Sequence, residues 1–135
     1  MIVVDASAAV AALTSVPPHQ SVIDRLADDS DLHAPHLIDV EYLHVLRRFV
    51  WTGRLSPETA VDARTGLLAL GITRYSHELL LERMWALRHN LTAYDAAYVA
   101  LSELLEAPLV TTDARVAAVP GHHATVEVYG PDPEP

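Results

Sequence analysis

Thr92-Ala93-Tyr94-Asp95-Ala96-Ala97-Tyr98-Val99-Ala100-Leu101 leads through Ala107-Pro108 into Leu109-Val110-Thr111-Thr112-Asp113. The first block opens on a capping pattern, with Thr92 three residues before Asp95. It then carries enough apolar residues for a helix reaching about Glu106. The second block is a short apolar run ending in Val-Thr, as expected of a strand buried in a parallel sheet. It closes on Asp113. A helix feeding a buried strand that ends on an acid is the unit from which the rest of the chain can be read.

Reading outward, Ile2-Val3-Val4 repeats the theme, a β-branched strand that ends on Asp5. An alanine-rich helix is expected from about Ser7 to Leu13. A second helix should open at Pro17-Pro18 and run to about Asp29. Leu32-His33-Ala34 is a short strand candidate. After Pro35 a long helix is expected over 37–52, with Val40, Leu43, Leu46 and Val50 as its apolar stripe and Gly53 as its stop. Ser56-Pro57 is an N-cap followed by a first-turn proline, opening a helix that ends near Gly71. A strand is expected over 72–75 and a helix over 77–89, the latter with Leu80, Met84 and Leu87 on one face. A short helix over 114–119 and a last strand over 125–129 complete the chain. Strands alternating with helices or helix pairs imply a parallel sheet flanked by helices, an α/β fold. Residues 1–130 read as one domain and 131–135, Pro-Asp-Pro-Glu-Pro, as a frayed tail.

The composition narrows the chemistry. With 135 residues, half of them hydrophobic and a fifth charged, the chain can bury a substantial core. The absence of cysteine excludes disulfides, zinc–thiolate centres and thiol catalysis. Any metal must therefore be held by oxygen or imidazole. No apolar run approaches the ~18 residues of a membrane span. Asp5 lies where a secretory signal would be apolar, so a cytoplasmic location is expected. The net charge of −9 opposes nucleic-acid binding in general. Against that, all nine basic residues are arginine, the side chain that grips phosphate bidentately, although genomic base composition explains the same bias.

In open parallel sheets ligands bind outside the carboxyl ends of the strands. Asp5 and Asp113 follow strands, Asp95 sits in the first turn of a helix that feeds one, and Glu41 lies early in the long helix. Carboxylates from four segments that met at one sheet edge would repel unless protonated or bridged by a cation. Mg²⁺, an oxygen-seeking ion that keeps part of its water, suits such a cluster. It would activate water and stabilise the charge of a phosphodiester under attack. Each acid also has a plainer reading. Asp5 and Asp113 can be helix caps, Asp95 the partner of Thr92 in a capping box, and Glu41 part of a solvated face. Convergence is what decides between the two.

Taken in order, Ile2-Val3-Val4-Asp5-Ala6-Ser7, then Pro35 with Glu41 and Leu46-Arg47-Arg48, then the two blocks quoted first, resemble a PIN domain over residues 2 to about 119. Size and compactness are similar to VapC-type toxins. The resemblance implies a three-layer α/β/α fold with a short central sheet. It also implies a metal-dependent endoribonuclease that serves as the toxin of a toxin–antitoxin pair. Asp5 and Asp95 become the leading metal ligands, with Asp113 binding directly or through water. Glu41 would hold the attacking water or take its proton, and Ser7 and Thr112 would be supporting hydroxyls. Mg²⁺ is the expected cofactor, with Mn²⁺ as a substitute. The expected partners are RNA, an antitoxin with a basic C-terminal segment, and a second copy of the chain in a homodimer. Three positions depart from the family pattern. His44 stands where many relatives carry asparagine, Arg115 lies where some have a further acid, and Glu106 replaces a glycine. The change at Arg115 bears on whether the site takes one metal ion or two.

The eight histidines show no ligand pairing and read as structural or surface residues. Arg48, seven residues after Glu41, shares its helix face and can either reach a substrate phosphate or serve a surface contact. Trp51 and Trp85 read as core or interface residues. The acid required two residues after the first aspartate in haloacid-dehalogenase-like phosphatases is absent, since that position is Ser7. Receiver domains need a late lysine, and nucleotide triphosphatases a Gly-rich loop; this chain has neither. Two further alternatives are a non-catalytic interaction protein on the same fold and a PIN nuclease outside a toxin–antitoxin context.

Overall fold

The computed structural model describes residues 1–135. Five parallel strands, β1 (Ile2–Val4), β2 (Leu32–Pro35), β3 (Thr73–Tyr75), β4 (Leu109–Thr111) and β5 (Val126–Val128), lie in the order β3-β2-β1-β4-β5. The chain builds outward from β1 through β2 to β3, then crosses back to lay β4 on the other side of β1. Val3 pairs with His33 on one flank and with Leu109 on the other. The strands β1 and β4 are buried throughout, which is why their sequences are continuous apolar runs rather than alternating ones.

The helices are α1 (Ala6–Thr14), α2 (Gln20–Ala27), α3 (Leu37–Trp51), α4 (Pro57–Ala69), α5 (Leu81–Ala86), α6 (Ala93–Leu105) and α7 (Ala114–Ala118). Packing divides them. Helix α1 contacts α2, α3 and α4, whereas α6 contacts α5 and the strands β1 and β2. The sheet lies between these groups, giving the expected three-layer α/β/α arrangement. None of the helices is long and apolar enough to cross a membrane.

Several expected elements are corrected. Pro17 and Pro18 precede α2 rather than open it; the helix begins at Gln20, whose N–H is capped from afar by Asp132 Oδ1 at 2.8 Å. The expected helix over 77–89 is a 3₁₀ turn at His77–Leu80 followed by the short α5. Leu80 and Leu87 are buried as the stripe required, and Met84 is partly buried against the core. In α3 the buried face is Ile38, Tyr42, Leu46 and Phe49, while Val40 and Leu43 are 69% and 48% exposed. This helix has apolar residues on two faces, so periodicity could not choose between them. Trp51 and Trp85 are exposed as well, at 77% and 69%, which removes the core reading for both.

Tyr42 shows what fixes the rotation of α3. Its ring is fully buried, and its hydroxyl donates to the Ala63 carbonyl on α4 at 2.7 Å. Burial pushes the phenol up to about 12, so it remains a neutral donor. Tyr42→Phe is expected to cost about 1–2 kcal/mol in a denaturant melt, because the Ala63 carbonyl loses its side-chain donor in a dry setting. Nuclease activity should be unchanged. A loss within 0.3 kcal/mol, roughly the error of such comparisons, would mean that the bond contributes nothing net.

Candidate active site

The switch between β1 and β4 leaves a crevice at their carboxyl ends, the usual ligand position in an open α/β sheet. A cleft of about 660 Å³ opens there, lined by Asp5, Ser7, Glu41, Asp95, Asp113 and Arg115, with His44 and Arg48 further along α3. The acids expected from separate segments thus face one space. Local structure explains each placement. Asp5 N–H donates to the Val110 carbonyl at 3.0 Å, tying the end of β1 to β4. Asp95 is delivered by the first turn of α6, Glu41 by the second turn of α3, and Asp113 by the residue that caps α7.

Asp5 stands at the N-cap of α1 but makes no side-chain cap bond. Its Oδ2 instead accepts from Ser7 Oγ and Thr111 Oγ1, both at 2.7 Å. Thr92 does cap α6 by accepting from Asp95 N–H at 3.2 Å, yet the Asp95 carboxylate makes no return bond and is free to face the cleft. Glu41 is not on a solvated face; it is half-buried, and its Oε1 accepts from the Tyr98 hydroxyl at 2.7 Å. Asp113 does perform the capping role, accepting from Arg115 N–H at 3.0 Å. It is further held by the Arg115 guanidinium through both carboxylate oxygens.

Electrostatics separate Asp113 from the others. Burial raises the pKa of Asp5, and repulsion from Asp95 adds to it, while the bonds from Thr111 and Ser7 pull the other way. Burial also raises Glu41, with further repulsion from Asp5 and Asp95 against the lowering by Tyr98. Asp113 is lowered, chiefly by its hydrogen bonds from Arg115. None of Asp5, Glu41 and Asp95 takes part in an ion pair, whereas Asp113 is paired with Arg115 at 2.6 Å. Three acids that repel one another and have no ion-pair partner, the guanidinium at the rim being bonded to Asp113, form a site with unmet demand for positive charge. Their all-oxygen donors suit a hard divalent ion. No three acidic or histidine side chains converge tightly enough to cage an ion by themselves.

Two contributors were not legible in the sequence. Thr111, not Thr112, supplies the β4 hydroxyl that bonds Asp5. Thr111 Oγ1 also accepts from Asp113 N–H at 3.0 Å, linking the two acids. Thr112 instead donates its backbone N–H to Ser7 Oγ at 3.1 Å and lines a neighbouring groove. Tyr98 is the other, its hydroxyl bonded to Glu41. Its position three residues after Asp95, on the same face of α6, is the signal that could have identified it. Of the histidines, only His44 lines the cleft. His33 is buried between Asp31 and Tyr75, and His77 accepts from Leu37 N–H at 2.9 Å.

Comparison with known proteins supplies independent evidence. A family model described as the PIN domain matches residues 2–122. Ribonuclease VapC1 of Mycobacterium tuberculosis is 47% identical over 120 residues, covering 88% of this chain and 90% of the relative. Ribonuclease VapC12 of the same species is 37% identical over 128 residues, covering 95% and 98%. Among solved structures, PAE2754 from Pyrobaculum aerophilum superposes with a TM-score of 0.72 at 23% identity, over 94% of this chain and 83% of the other.

Proposed function

The chain belongs to the PIN-domain family, and from that premise we propose that it is a metal-dependent endoribonuclease acting as the toxin of a toxin–antitoxin pair. The observation that carries the reading is the gathering of Asp5, Glu41 and Asp95 at the β1/β4 switch point without a cation of their own. The similarity to proteins named ribonucleases points to RNA as the substrate. On this reading residues 1–130 form one nuclease domain.

In the proposed mechanism Asp5 and Asp95 would hold Mg²⁺, or Mn²⁺ in its place, with Asp113 contributing directly or through water. When bound, the ion activates water and stabilises the charge that develops on the phosphodiester. Ser7 and Thr111 hold Asp5 in one orientation through its Oδ2, leaving Oδ1 for the cleft. Tyr98 occupies Glu41 Oε1 and leaves Oε2 free to accept a proton from the attacking water. The raised pKa of Glu41 makes it a better base than a solvated glutamate. Arg115 restrains Asp113 and adds positive charge at the cleft rim.

A cellular RNA pool incubated with the native chain should be cut in Mg²⁺ or Mn²⁺ and left intact in EDTA. Cleavage that survives EDTA would remove the metal from the mechanism. A well-folded, partner-free chain that cuts no RNA under any metal would sink the nuclease assignment.

The antitoxin is proposed to place an arginine from a basic C-terminal segment into the cleft. Arg115 on Asp113 is the contact that such an arginine would repeat or displace. A homodimer is also part of the proposal, supported by the exposed apolar Leu79, Leu81 and Trp85, none of which lines the cleft. Light scattering should then report twice the chain mass of 14.7 kDa.

A further inference from the structure

A second groove, of about 260 Å³, opens beside the carboxylate cleft and is lined by His19, Arg48, Phe49, Arg54 and Thr112 among others. Ser7, Val45 and Arg48 line both spaces. The two therefore adjoin, with carboxylates in one and arginines in the other.

The arginines reach it by different routes. Arg48 is seven residues after Glu41, close to two helical turns, so α3 sets both on one face. Arg54 lies beyond the helix. Gly53 adopts φ +74°, a conformation that favours glycine. This reversal lets Arg54 N–H donate to the Phe49 carbonyl at 2.8 Å. The Arg54 guanidinium then rests 4.4 Å above the Phe49 ring.

Arg25, Arg74, Arg83 and Arg115 each pair with a carboxylate, whereas Arg48 and Arg54 have neither an ion pair nor a side-chain hydrogen bond. Arg47, Arg64 and Arg88 also lack a carboxylate partner, but they line neither space; what sets Arg48 and Arg54 apart is their place beside the acidic cleft. His19 adds to the groove. Its Nδ1 donates to the Pro17 carbonyl at 2.7 Å, which leaves Nε2 without a protein partner.

We propose that this groove seats a backbone phosphate of the RNA strand next to the scissile one, held by the guanidinium groups of Arg48 and Arg54. The inference rests on the nuclease reading and adds the direction in which the strand leaves the cleft. The physical need is plain. Carboxylates repel a polyanion, so an acidic chain must supply local cations where the strand passes. Arginine meets phosphate with two parallel N–H donors. Because these contacts lie away from the bond being broken, they hold substrate and transition state equally and act on KM rather than kcat.

The test uses full-length chain and a short single-stranded RNA. In Mg²⁺, Arg48→Ala and Arg54→Ala should each raise KM about tenfold with kcat nearly unchanged. Arg54→Lys should recover part of the loss, and Arg64→Ala, outside the groove, should behave as native. On an Asp95→Asn background, fluorescence anisotropy of the labelled RNA should show the salt slope of binding falling by about 0.7 for each arginine removed. Native KM and salt slope in both alanine variants would overturn the proposal, as would a fall in kcat at constant KM. Loss of binding to an acidic peptide with RNA binding unchanged would also overturn it and assign the groove to a protein partner. A native chain that cleaves RNA while both variants match it fails this inference alone; a native chain that cleaves nothing fails the function.

Discussion

Asp5→Asn is expected to abolish metal-dependent cleavage and, at neutral pH without metal, to raise the melting temperature. Loss of a residue that merely orients a ligand costs about 10–100-fold, so loss of a direct ligand should cost at least about 100-fold. The gain in stability follows from the same geometry. Burial and the Asp95 charge hold the Asp5 pKa above its ordinary range, so the folded chain binds this proton more tightly than the unfolded chain does. The stability that this proton contributes is complete below the ordinary aspartate pKa and is lost as pH rises through the raised one. Asparagine has no charge to desolvate, and its amide can keep bonds to Ser7 and Thr111, whose hydroxyls can turn.

The difference in melting temperature between variant and native chain, measured in EDTA, should therefore be small near pH 4 and grow toward pH 7.5. In a chain of this size each kcal/mol corresponds to roughly 2–6 °C. Taking the difference matters, because Asp29, Glu103, Asp113 and Glu127 have lowered pKa values and give the native chain an opposing trend. Mg²⁺ should then raise the native melting temperature and leave the variant's unmoved. A variant less stable than native at pH 7.5 would show that the two hydroxyl bonds outweigh burial and repulsion, and the site would not be the strained one described.

Tyr98→Phe should lower kcat by about 10–100-fold, with KM little changed. The ring is almost fully buried in α6 and its hydroxyl donates to Glu41 Oε1. Burial, followed by the neighbouring Asp5 and Glu41 charges, raises the phenol's pKa and keeps it a neutral donor. Without that hydroxyl Glu41 loses both the bond that sets its angle and the contact that holds its pKa down. The Mg²⁺ concentration for half-maximal rate should rise as well, a readout that a purely structural tyrosine would not move. Tyr42→Phe is the matched control, since it removes another buried hydroxyl, also bonded at 2.7 Å, but to a carbonyl remote from the acids. It should cost stability and spare catalysis. Equal kcat and equal metal requirement in native chain and Tyr98→Phe would remove Tyr98 from the site.

Much of this protein is local in origin. Ile2-Val3-Val4 and Leu109-Val110-Thr111 are legible as buried parallel strands because such strands face helices on both sides and need no alternation. Ser56-Pro57 and Thr92 mark helix starts because capping is a contact between near neighbours. Asp5, Glu41, Asp95 and Asp113 stand out for the same reason: each sits at the start of a helix or the end of a strand. The PIN resemblance follows from the order of these short signals and needs no knowledge of how they pack.

Tertiary structure decided the rest. Strand order cannot be read from a run of apolar residues, and only β4 lying beside β1 brings Asp113 to Asp5, 108 positions away in sequence. That same pairing selected Thr111 over Thr112, because successive strand side chains point to opposite faces and only one reaches Asp5. Helix α3 carries two apolar stripes, and the choice of Ile38, Tyr42, Leu46 and Phe49 came from the surface that α4 and the sheet present. The pairing of Arg115 with Asp113 and the freedom of Arg48 and Arg54 depended on which carboxylates came within reach. Periodicity and capping act over a turn or two of chain, whereas charge pairing, burial and the sharing of one cleft depend on distances that exist only after the sheet has assembled.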